Sequence, residues 1–322
     1  MLTLSSLATT LDETASESER LAALSTLCGA VSVQLIEQAR QYFFDSLYRQ
    51  FGQIAALEDL GKVSIELAGT GGSGIAGRFN TSTAAAFVVA ACGMPVVKLG
   101  NGAVTGKTGS SDFLAQAGIS PLHNLERVAE IFDRVQLVFL FAPALYPELG
   151  RLQALRRRLG RPTIFNYIGP LLSPLRPAFR LMGVSSEAVL APVAEVLSRD
   201  EATTCALMVR GEDGLDEISV DSISRIIEVS NSTSRQYHFD GRSGALASRA
   251  GSNVECFEQI IDGIDTDSKQ YKIMVLNAGA ALAAAQKAES INAGMALAGE
   301  AIKSGAVRQI YDKCKVVYGK FS

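Results

Sequence analysis

Four turns rich in glycine and hydroxyl residues lie close together in the chain, and apolar runs separate them. They comprise residues 69–74, 80–83, 98–101 and 105–112. Glycine lets a backbone approach a ligand closely, and the first turn of a helix offers unpaired N–H groups to an anion. Lys98 and Lys107 add positive charge to these turns. The pattern therefore predicts a cradle for a phosphorylated ligand.

This cradle matches neither of two common nucleotide-binding motifs. The chain has no G-x-x-x-x-G-K-[ST] sequence, and it lacks the acidic residue expected about 20 residues after dinucleotide-binding glycines. Much later in the chain, the neighbouring carboxylates Asp216 and Glu217 follow a predicted strand. Such a pair is usually only a solvated turn, but Mg²⁺ is commonly held by one or two carboxylates plus substrate phosphates. Asp216 and Glu217 are therefore the candidate metal ligands.

The segments around the turns predict an α/β fold with a mainly parallel central sheet and a small α-helical domain. The helical layer is formed by residues 21–60, and we expect residues 163–177, which contain several prolines, to return through it. Strands are predicted at residues 63–68, 95–98, 135–141, 204–209, 223–229 and 234–239. Helices are predicted at residues 82–92, 110–117, 122–132, 147–159, 185–198, 277–287 and 290–304.

The composition argues against several classes of protein. Of the 322 residues, 48% are hydrophobic and 20% charged, and the net charge is -3, so nucleic-acid binding is unexpected. The five cysteines are scattered without nearby histidines, which favours reduced thiols in a cytoplasmic protein over metal fingers or redox pairs. We expect neither a signal peptide nor a membrane association, since no apolar run reaches the roughly 18 residues of a membrane span.

Taken in order, the motifs of the chain resemble those of the anthranilate phosphoribosyltransferase family. The resemblance extends from about residue 68 to the C-terminal helices, and it is more specific for the family than for the acceptor substrate. The matching motifs are Gly69-Thr70-Gly71-Gly72, Asn80-x-Ser82-Thr83, Lys98-x-Gly100-Asn101, Gly109-Ser110-Ser111-Asp112, Phe141-Ala142-Pro143, Thr163-Ile164-Phe165-Asn166, Gly169-Pro170-Leu171 and Gly214-Leu215-Asp216-Glu217.

The resemblance implies a division into two domains and a set of ligands. Residues 1–62, joined in space by about 145–185, would form the helical domain, and residues 63–144 and 186–322 the α/β domain. The family relationship further implies 5-phosphoribosyl 1-pyrophosphate (PRPP) as donor, Mg²⁺ as cofactor and a small aromatic acceptor, with anthranilate favoured. It also implies a homodimer formed through the helical domain.

The resemblance also implies roles for individual residues. Ser82, Asp216 and Glu217 would hold Mg²⁺, and Arg156 would face the acceptor carboxylate beside Gly69 and Asn101. No residue is implied as nucleophile, acid or base, because an arylamine is already nucleophilic and catalysis becomes a matter of positioning and charge. The residues implied to bind the donor are Gly69, Gly72, Ser73, Asn80, Thr81, Ser82, Thr83, Lys98, Gly106 and Ser110.

The chain departs from the family pattern mostly on the acceptor side. One extra residue precedes Asn80, and the glycine turn ends in a residue other than the family aspartate. The replacements are Ser73 for that aspartate, Leu99 and Tyr146 for family histidines, and Gly102 and Pro162 for family arginines. We therefore expect the donor assignment to be firmer than the acceptor assignment.

Several alternatives stay open on the sequence alone. The chain could use the same donor with another aromatic acceptor, or bind the donor or a nucleotide without catalysis; a nucleoside phosphorylase is a more distant alternative. Arg156 lies beside Arg157 and Arg158 on a basic helix, and such a face is usually solvated, so Arg157 is the second candidate. His123 and His238 are interpreted as structural or exposed residues.

Overall fold

A seven-stranded sheet runs through the middle of the molecule. The computed structural model describes residues 2–52, 54–71, 79–102 and 109–319. The strands are β1 (Ile65–Gly69), β2 (Val96–Gly100), β3 (Leu137–Phe141), β4 (Phe179–Gly183), β5 (Cys205–Gly211), β6 (Ile223–Ser230) and β7 (Thr233–Asp240). Their order is β3-β2-β1-β4-β5-β6-β7, with the first five strands parallel and the last two antiparallel. The predicted mainly parallel sheet is confirmed.

A layer of helices forms the first part of the chain and is completed by a later segment. Its helices are α1 (Leu2–Leu11), α2 (Glu17–Thr26), α3 (Val33–Phe51), α4 (Ala55–Gly61), α8 (Ala142–Leu145), α9 (Pro147–Leu159) and α10 (Ile164–Ile168), followed by a 3₁₀ turn at Gly169–Leu171. Helix α3 is the centre of this layer, and it buries Leu35, Ile36, Phe43 and Leu47 at helical spacing. The small helical layer predicted from the sequence is therefore present.

The remaining helices pack on the sheet and on one another. They are α5 (Thr81–Ala91), α6 (Ser110–Gln116), α7 (Val128–Val135), α11 (Glu187–Arg199), α12 (Asn253–Ile261), α13 (Lys269–Ala284), α14 (Ile291–Lys303) and α15 (Ala306–Gly319). Helix α5 is buried over most of its length, which explains its nearly unbroken run of alanine, valine and phenylalanine. The Phe87 ring of α5 lies 5.3 to 5.4 Å, between ring centroids, from Phe139, Phe257 and Tyr311.

The structure corrects the sequence prediction at several elements. Strand β4 falls within residues 145–185, which we expected to join the helical domain, and it lies in the middle of the sheet between β1 and β5. Arg180 places a charge near the start of this strand, so the local pattern did not predict a buried strand. The carboxylate that pairs with Arg180 is Glu66, which lies on another strand. Helix α7 lies later than the predicted helix at 122–132, and β3 begins at Leu137. Helices α12 and α15 were not predicted, and α13 begins earlier than expected.

The two sides of β1 are paired to different extents. β1 pairs with β4 along its whole length, from Ile65 opposite Phe179 to Gly69 opposite Gly183. With β2, the one pairing recorded between these two described strands is Ile65 opposite Val96. Backbone pairing is therefore not recorded between the C-terminal halves of β1 and β2, although the two strands stay side by side. We call this unpaired stretch the β1–β2 gap.

Two further predictions concern membrane-spanning helices and the cysteines. Within the described ranges, every helix is too short or too polar to span a bilayer. The five cysteines, Cys28, Cys92, Cys205, Cys256 and Cys314, are all free thiols. The division of the chain into two domains with the boundaries given above stays a prediction, apart from the placement of β4 in the sheet.

Candidate active site

Four of the five parallel strands end in glycine at the same edge of the sheet. These residues are Gly69, Gly100, Gly183 and Gly211. A Cβ on Gly183 would lie 1.7 Å from the backbone oxygen of Asp216, and one on Gly69 would lie 2.4 Å from Asp216 Oδ2. The acidic loop can therefore rest directly on the strand ends, because glycine has no Cβ to keep it away.

The acidic loop contacts the first peptides of the glycine turn. The Gly71 N–H donates to Asp216 Oδ2 over 2.7 Å, although the two residues are 145 positions apart. Gly71 has a φ of 65°, in the left-handed region that favours glycine. From the other side, Ser185 Oγ donates to the Gly71 carbonyl over 2.6 Å, and the Ser185 N–H donates to Thr70 Oγ1 over 3.1 Å. The start of the turn is thus fixed on both sides.

The backbone after the two carboxylates is held by a buried amide. The Ile218 N–H donates to Asn277 Oδ1 over 2.9 Å, and Asn277 Nδ2 donates to the Ile218 carbonyl over 3.0 Å. Asn277, on α13, is 3% exposed. Because a buried amide that makes both bonds tolerates little displacement, Asn277 fixes the loop that carries Asp216 and Glu217. Glu217 is itself largely buried and Asp216 half-buried.

The described residues suit a metal that arrives with a phosphorylated substrate. Among them there is no group of three or more His, Cys, Asp or Glu side chains that could hold a metal ion. Two adjacent carboxylates and one hydroxyl form too small a ligand set for an all-protein cage. They do match the usual magnesium site, in which substrate phosphates and water complete the coordination. The chemistry of Asp216, Glu217 and Ser82 therefore fits Mg²⁺.

A buried lysine joins β2 to the start of α5. Lys98 Nζ donates to Ser82 Oγ over 3.0 Å and to the Leu67 carbonyl over 2.6 Å. Burial lowers the pKa of Lys98 to about 8, although the negative charge of Glu66 opposes this shift. Lys98 is 4% exposed. The predicted donor residues Lys98 and Ser82 are thus in contact with each other.

Asparagine side chains join the helix starts of the predicted cradle. Asn80 is the N-cap residue of α5, and its Nδ2 donates to the Gly109 carbonyl just before α6 over 2.8 Å. Asn253 Nδ2, at the start of α12, donates to Asn80 Oδ1 over 2.9 Å. The predicted donor residues Thr81 and Thr83 are buried at 3% and 1% exposure. Their contact with the donor stays a prediction.

The end of β2 is tied to the start of α6. Ser110 Oγ donates to the Asn101 carbonyl over 3.2 Å and accepts from the Asn101 N–H over the same distance. This contact needs a glycine at position 100, where a Cβ would lie 2.4 Å from Ser110 Oγ. A predicted donor residue and a predicted acceptor residue therefore share one hydrogen-bonded junction. Residues 72–74 and 105–108 of the predicted cradle lie outside the described residues, and with them the named residues Gly72, Ser73, Gly106 and Lys107.

Arg156 is the one arginine of α9 that is not exposed. Arg151 forms an ion pair with Glu13, and Arg158 forms one with Glu17 over 2.6 Å. For Arg156, which is half-buried, no hydrogen bond or ion pair is recorded within the described parts of the chain. Burial lowers its pKa to about 10. A partly desolvated guanidinium is suited to a carboxylate ligand, since this planar cation binds a carboxylate through two parallel hydrogen bonds.

One departure from the family pattern lies in the core. The Tyr146 side chain is fully buried, and its hydroxyl donates to the Leu172 carbonyl over 2.5 Å. Its ring contacts Phe43 edge-on at 5.8 Å between centroids. We expected Tyr146 among the changes on the acceptor side, and the structure instead places it in the packing of the helical layer. Leu99 and Gly102 remain as changes near the strand ends.

The structure agrees with the interpretation of the two histidines. His123 is exposed and stacks on Phe141 with 4.9 Å between ring centroids. His238 is exposed on the edge strand β7. Both histidines are therefore exposed to solvent, unlike Lys98, which is buried.

Four residues that hold this site together were not predicted from the sequence. They are Ser185, Asn253, Asn277 and Glu66, and each acts by contact with a segment far away in the chain. Glu66 carried a signal that could have been used. It is a charged residue in the middle of an apolar strand, and such a residue needs a partner in the folded state.

Comparisons with known proteins find similar enzymes over most of the chain. Residues 61–308 match the family model described as the glycosyl transferase family, a/b domain. An anthranilate phosphoribosyltransferase of Syntrophomonas wolfei is 36% identical over 278 residues, covering 84% of this chain and 80% of the relative. The enzyme of that name from Stutzerimonas stutzeri is 39% identical over 255 residues, covering 76% of this chain and 73% of the relative.

Solved structures show the same architecture. The anthranilate phosphoribosyltransferase of Thermus thermophilus superposes with a TM-score of 0.79 at 28% identity, covering 98% of this chain and 94% of that chain. The enzyme of that name from Saccharomyces cerevisiae, in complex with PRPP and Mg, has a TM-score of 0.79 at 20% identity. The superposition covers 99% of this chain and 93% of the yeast chain. The small helical domain and large α/β domain expected from the sequence are thereby confirmed.

Proposed function

Because the chain belongs to the anthranilate phosphoribosyltransferase family, we propose that it transfers phosphoribosyl from PRPP to anthranilate, a reaction of tryptophan biosynthesis. The chief support is the contact between the acidic loop and the glycine turn, where the Gly71 N–H donates to Asp216 Oδ2. This contact brings the candidate metal ligands against the candidate phosphate cradle. The yeast enzyme of the same fold is bound to PRPP and Mg in its solved structure, and the proposal adopts this pair.

In this proposal, the donor lies along the C-terminal ends of the strands that end in glycine. The pyrophosphate faces the start of α5 and the Lys98 ammonium, because helix N-termini and cations both stabilise phosphate oxygens. Lys98 is held by Leu67 and Ser82 and loses little freedom when the donor binds. Ser110 limits the other side of the same space through its contact with Asn101.

Ser82, Asp216 and Glu217 are the residues proposed to hold Mg²⁺. When bound, the ion neutralises negative charge on the departing pyrophosphate. Asp216 is oriented for this task by the Gly71 N–H, and the backbone that follows it is held by Asn277. The protein therefore supplies two carboxylates whose backbone is already in place.

Arg156 is proposed to bind the acceptor carboxylate. With the carboxylate held there, the amine of the acceptor is directed towards C1 of the ribose. The new N–C1 bond forms as the C1–O bond to pyrophosphate breaks. Pyrophosphate leaves with the bonding electrons, and the excess proton on nitrogen passes to solvent. Catalysis then depends on the relative placement of the two substrates and on charge stabilisation.

The decisive experiment follows the fluorescence of anthranilate in the presence of PRPP and Mg²⁺. We expect fluorescence to fall with enzyme, and chelation of the metal to stop the reaction. Asp216→Asn, which keeps the size of the side chain, should lower kcat/KM by about 100-fold, since a ligand charge and its orientation are lost. Calorimetric binding of PRPP without turnover of any acceptor would instead identify a non-catalytic donor-binding protein.

The acceptor assignment is tested by two neighbouring arginines. Arg156→Met should raise the KM for anthranilate by about 50-fold, because a charge-assisted bidentate contact is worth roughly 2 kcal/mol or more. Arg157 is exposed on the same helix, so Arg157→Met serves as a matched control and should change this KM by less than about twofold. The reverse result would move the carboxylate to Arg157.

A second candidate function is transfer to a different aromatic amine acid. It is favoured by Leu99 and Gly102, which stand near the strand ends where the family pattern has histidine and arginine. A panel of ring-substituted aminobenzoates with labelled donor separates the two candidates. A higher kcat/KM for any member than for anthranilate would favour the second.

Two further proposals follow from the family relationship. We propose a cytoplasmic homodimer that associates through the helical layer. Sedimentation at micromolar concentrations should give twice the chain mass, and a monomer at all concentrations would refute this association.

A further inference from the structure

Side chains cross the β1–β2 gap where backbone pairing stops. The Leu99 N–H of β2 donates to Glu66 Oε1 of β1 over 3.3 Å. In the opposite direction, Lys98 Nζ donates to the Leu67 carbonyl over 2.6 Å. A backbone N–H and a carbonyl that would otherwise lack a strand partner are therefore satisfied by side chains. The gap is thus bridged by two side-chain hydrogen bonds.

Glu66 is itself held from the other side of β1. Arg180 Nη1 donates to Glu66 Oε2 over 2.6 Å and to the Pro170 carbonyl over 3.3 Å. Glu66 and Arg180 lie opposite each other in register, and each is 1% exposed. The two carboxylate oxygens thus have separate partners, one on β4 and one on β2. The carboxylate cannot move towards either strand without losing a bond to the other.

Stability alone is a weak explanation for this ion pair. Moving two charges out of water is costly, and apolar replacements of buried ion pairs are often as stable as the pair itself. The position of the pair suggests a different role. Glu66 directly follows Ile65, where the pairing of β1 with β2 stops, and it lies three residues before Gly69 at the end of the strand. The pair therefore stands where the gap begins.

The two sides of the gap carry different parts of the site. On the β1 side, the glycine turn is fixed by Asp216 and Ser185. On the β2 side, Asn101 follows Leu99 by two residues and is bonded to Ser110. The bond from Leu99 to Glu66 is therefore a direct tie between the end of β2 and the strand that carries the glycine turn.

We propose that Glu66, oriented by Arg180, is a positioning residue that fixes the end of β2 and Asn101 relative to the glycine turn. This inference rests on the proposed function, in which the glycine turn faces the donor and Asn101 the acceptor. Glu66 touches neither substrate. It acts through the Leu99 N–H, and its loss lets the acceptor side move while the donor turn stays fixed.

Two double variants separate the hydrogen bond from the charge. Glu66→Leu with Arg180→Leu removes both charges of the ion pair together, and it removes the acceptor for the Leu99 N–H. Both double variants take the charge of Glu66 away from Lys98, so this effect is the same in the two and cancels when they are compared. Glu66→Gln with Arg180→Gln also removes both charges but keeps an amide oxygen that can accept from Leu99. Thermal unfolding and circular dichroism establish that each variant is folded.

In the leucine pair, we expect a loss of acceptor affinity without a matching loss of donor affinity. The leucine pair should raise the KM for the acceptor about tenfold, the equivalent of one lost hydrogen bond, with PRPP binding by calorimetry within about threefold of that of the glutamine pair. The glutamine pair should restore the acceptor KM to within about threefold of the parent value. An unchanged acceptor KM in the leucine pair, or an equal loss in both pairs, would overturn the proposal.

Hydrogen exchange tests the same contact without any turnover. The Leu99 amide should exchange slowly in the parent and in the glutamine pair, and at least about tenfold faster in the leucine pair. If the leucine pair does not fold, the parent alone decides, since rapid exchange at Leu99 would refute the bond to Glu66. If the parent protein shows slow exchange at the Leu99 amide but no turnover of anthranilate, the proposed function is refuted while the contact between Leu99 and Glu66 is supported.

Discussion

Strand β1 meets β4 and β2 in two different ways, although all three strands are parallel and buried. Its side towards β4 is paired at five positions, up to Gly69 and Gly183 at the strand ends. Its side towards β2 is paired at one position, and Glu66 and Lys98 bridge the rest. The continuous side supports the acidic loop, and the open side lies between the glycine turn and Asn101. The same strand thus has continuous backbone pairing on one side and a gap bridged by side chains on the other.

The difference has a consequence for mutations on the two sides. On the β4 side, the strands are joined by backbone pairing along their whole length, and Gly183 has no space for an added methyl group. On the β2 side, the contacts are made by side chains and can be removed one at a time. We therefore expect substitutions on the β4 side to affect folding and activity together, and substitutions on the β2 side to affect substrate binding more selectively.

The largest effect is expected for Gly183→Ala on the continuous side. Its Cβ would lie 1.7 Å from the Asp216 backbone oxygen, so the acidic loop has to move. We expect a loss of about 3 kcal/mol in the free energy of unfolding and a fall in kcat/KM of about 100-fold, because Asp216 is displaced. Urea unfolding and the anthranilate assay measure the two effects.

A second glycine provides the control for this substitution. Gly150 lies in α9, and the nearest atom to an added Cβ there is Pro143 Cβ at 3.9 Å. Gly150→Ala should leave activity unchanged and stabilise the helix by about 0.5 to 1 kcal/mol. If Gly183→Ala behaved like Gly150→Ala, the continuous side would not be the support for the acidic loop described above.

A smaller and more selective effect is expected for Lys98→Met on the open side. Methionine fills a similar volume without leaving a buried charge, but the bonds to Leu67 and Ser82 are lost. The loss of a charged contact to the donor should cost about 2 kcal/mol, or roughly 30-fold in PRPP affinity measured by calorimetry. A change in stability without a change in PRPP affinity would assign Lys98 to the gap alone.

The smallest effect on activity is expected at an ionic cluster away from both sides of β1. Asp200 forms ion pairs with Arg40 and Arg176, and its side chain is 2% exposed. Although burial favours the protonated form, the two arginines lower the pKa of Asp200 from 3.8 to about 2. Asp200→Asn should therefore reduce stability at neutral pH and leave both KM values within about twofold of the parent.

The pH dependence of this cluster has a defined sign. A carboxyl whose pKa is lower in the folded state stabilises the fold above its unfolded pKa and loses this contribution as pH falls towards the folded pKa. For Asp200 the contribution is about 2 kcal/mol above about pH 4 and disappears between about pH 4 and about pH 2. Thermal unfolding of parent and Asp200→Asn over this range should converge at the acid end. Parallel curves would contradict the assignment.

Much of the site was accessible from the sequence because its chemistry is local. The glycine turn, the helix starts at Asn80 and Ser110, and the acidic pair Asp216 and Glu217 each consist of residues adjacent in the chain. Their backbone requirements select particular residue types, so the types reveal the turns. The long apolar helices and most strands were predicted for the same reason. Strand β4 was missed because a charged arginine follows its first residue.

What the chain alone determined about this protein is therefore the set of turns and capped helices that a phosphorylated ligand requires. Only the tertiary structure decided how these parts face each other. The bonds of Glu66 to Leu99 and Arg180 span 33 and 114 positions, and the bond from Gly71 to Asp216 spans 145. Such contacts depend on strand order and register, which local residue patterns do not specify, because pairing is set by packing of the whole sheet.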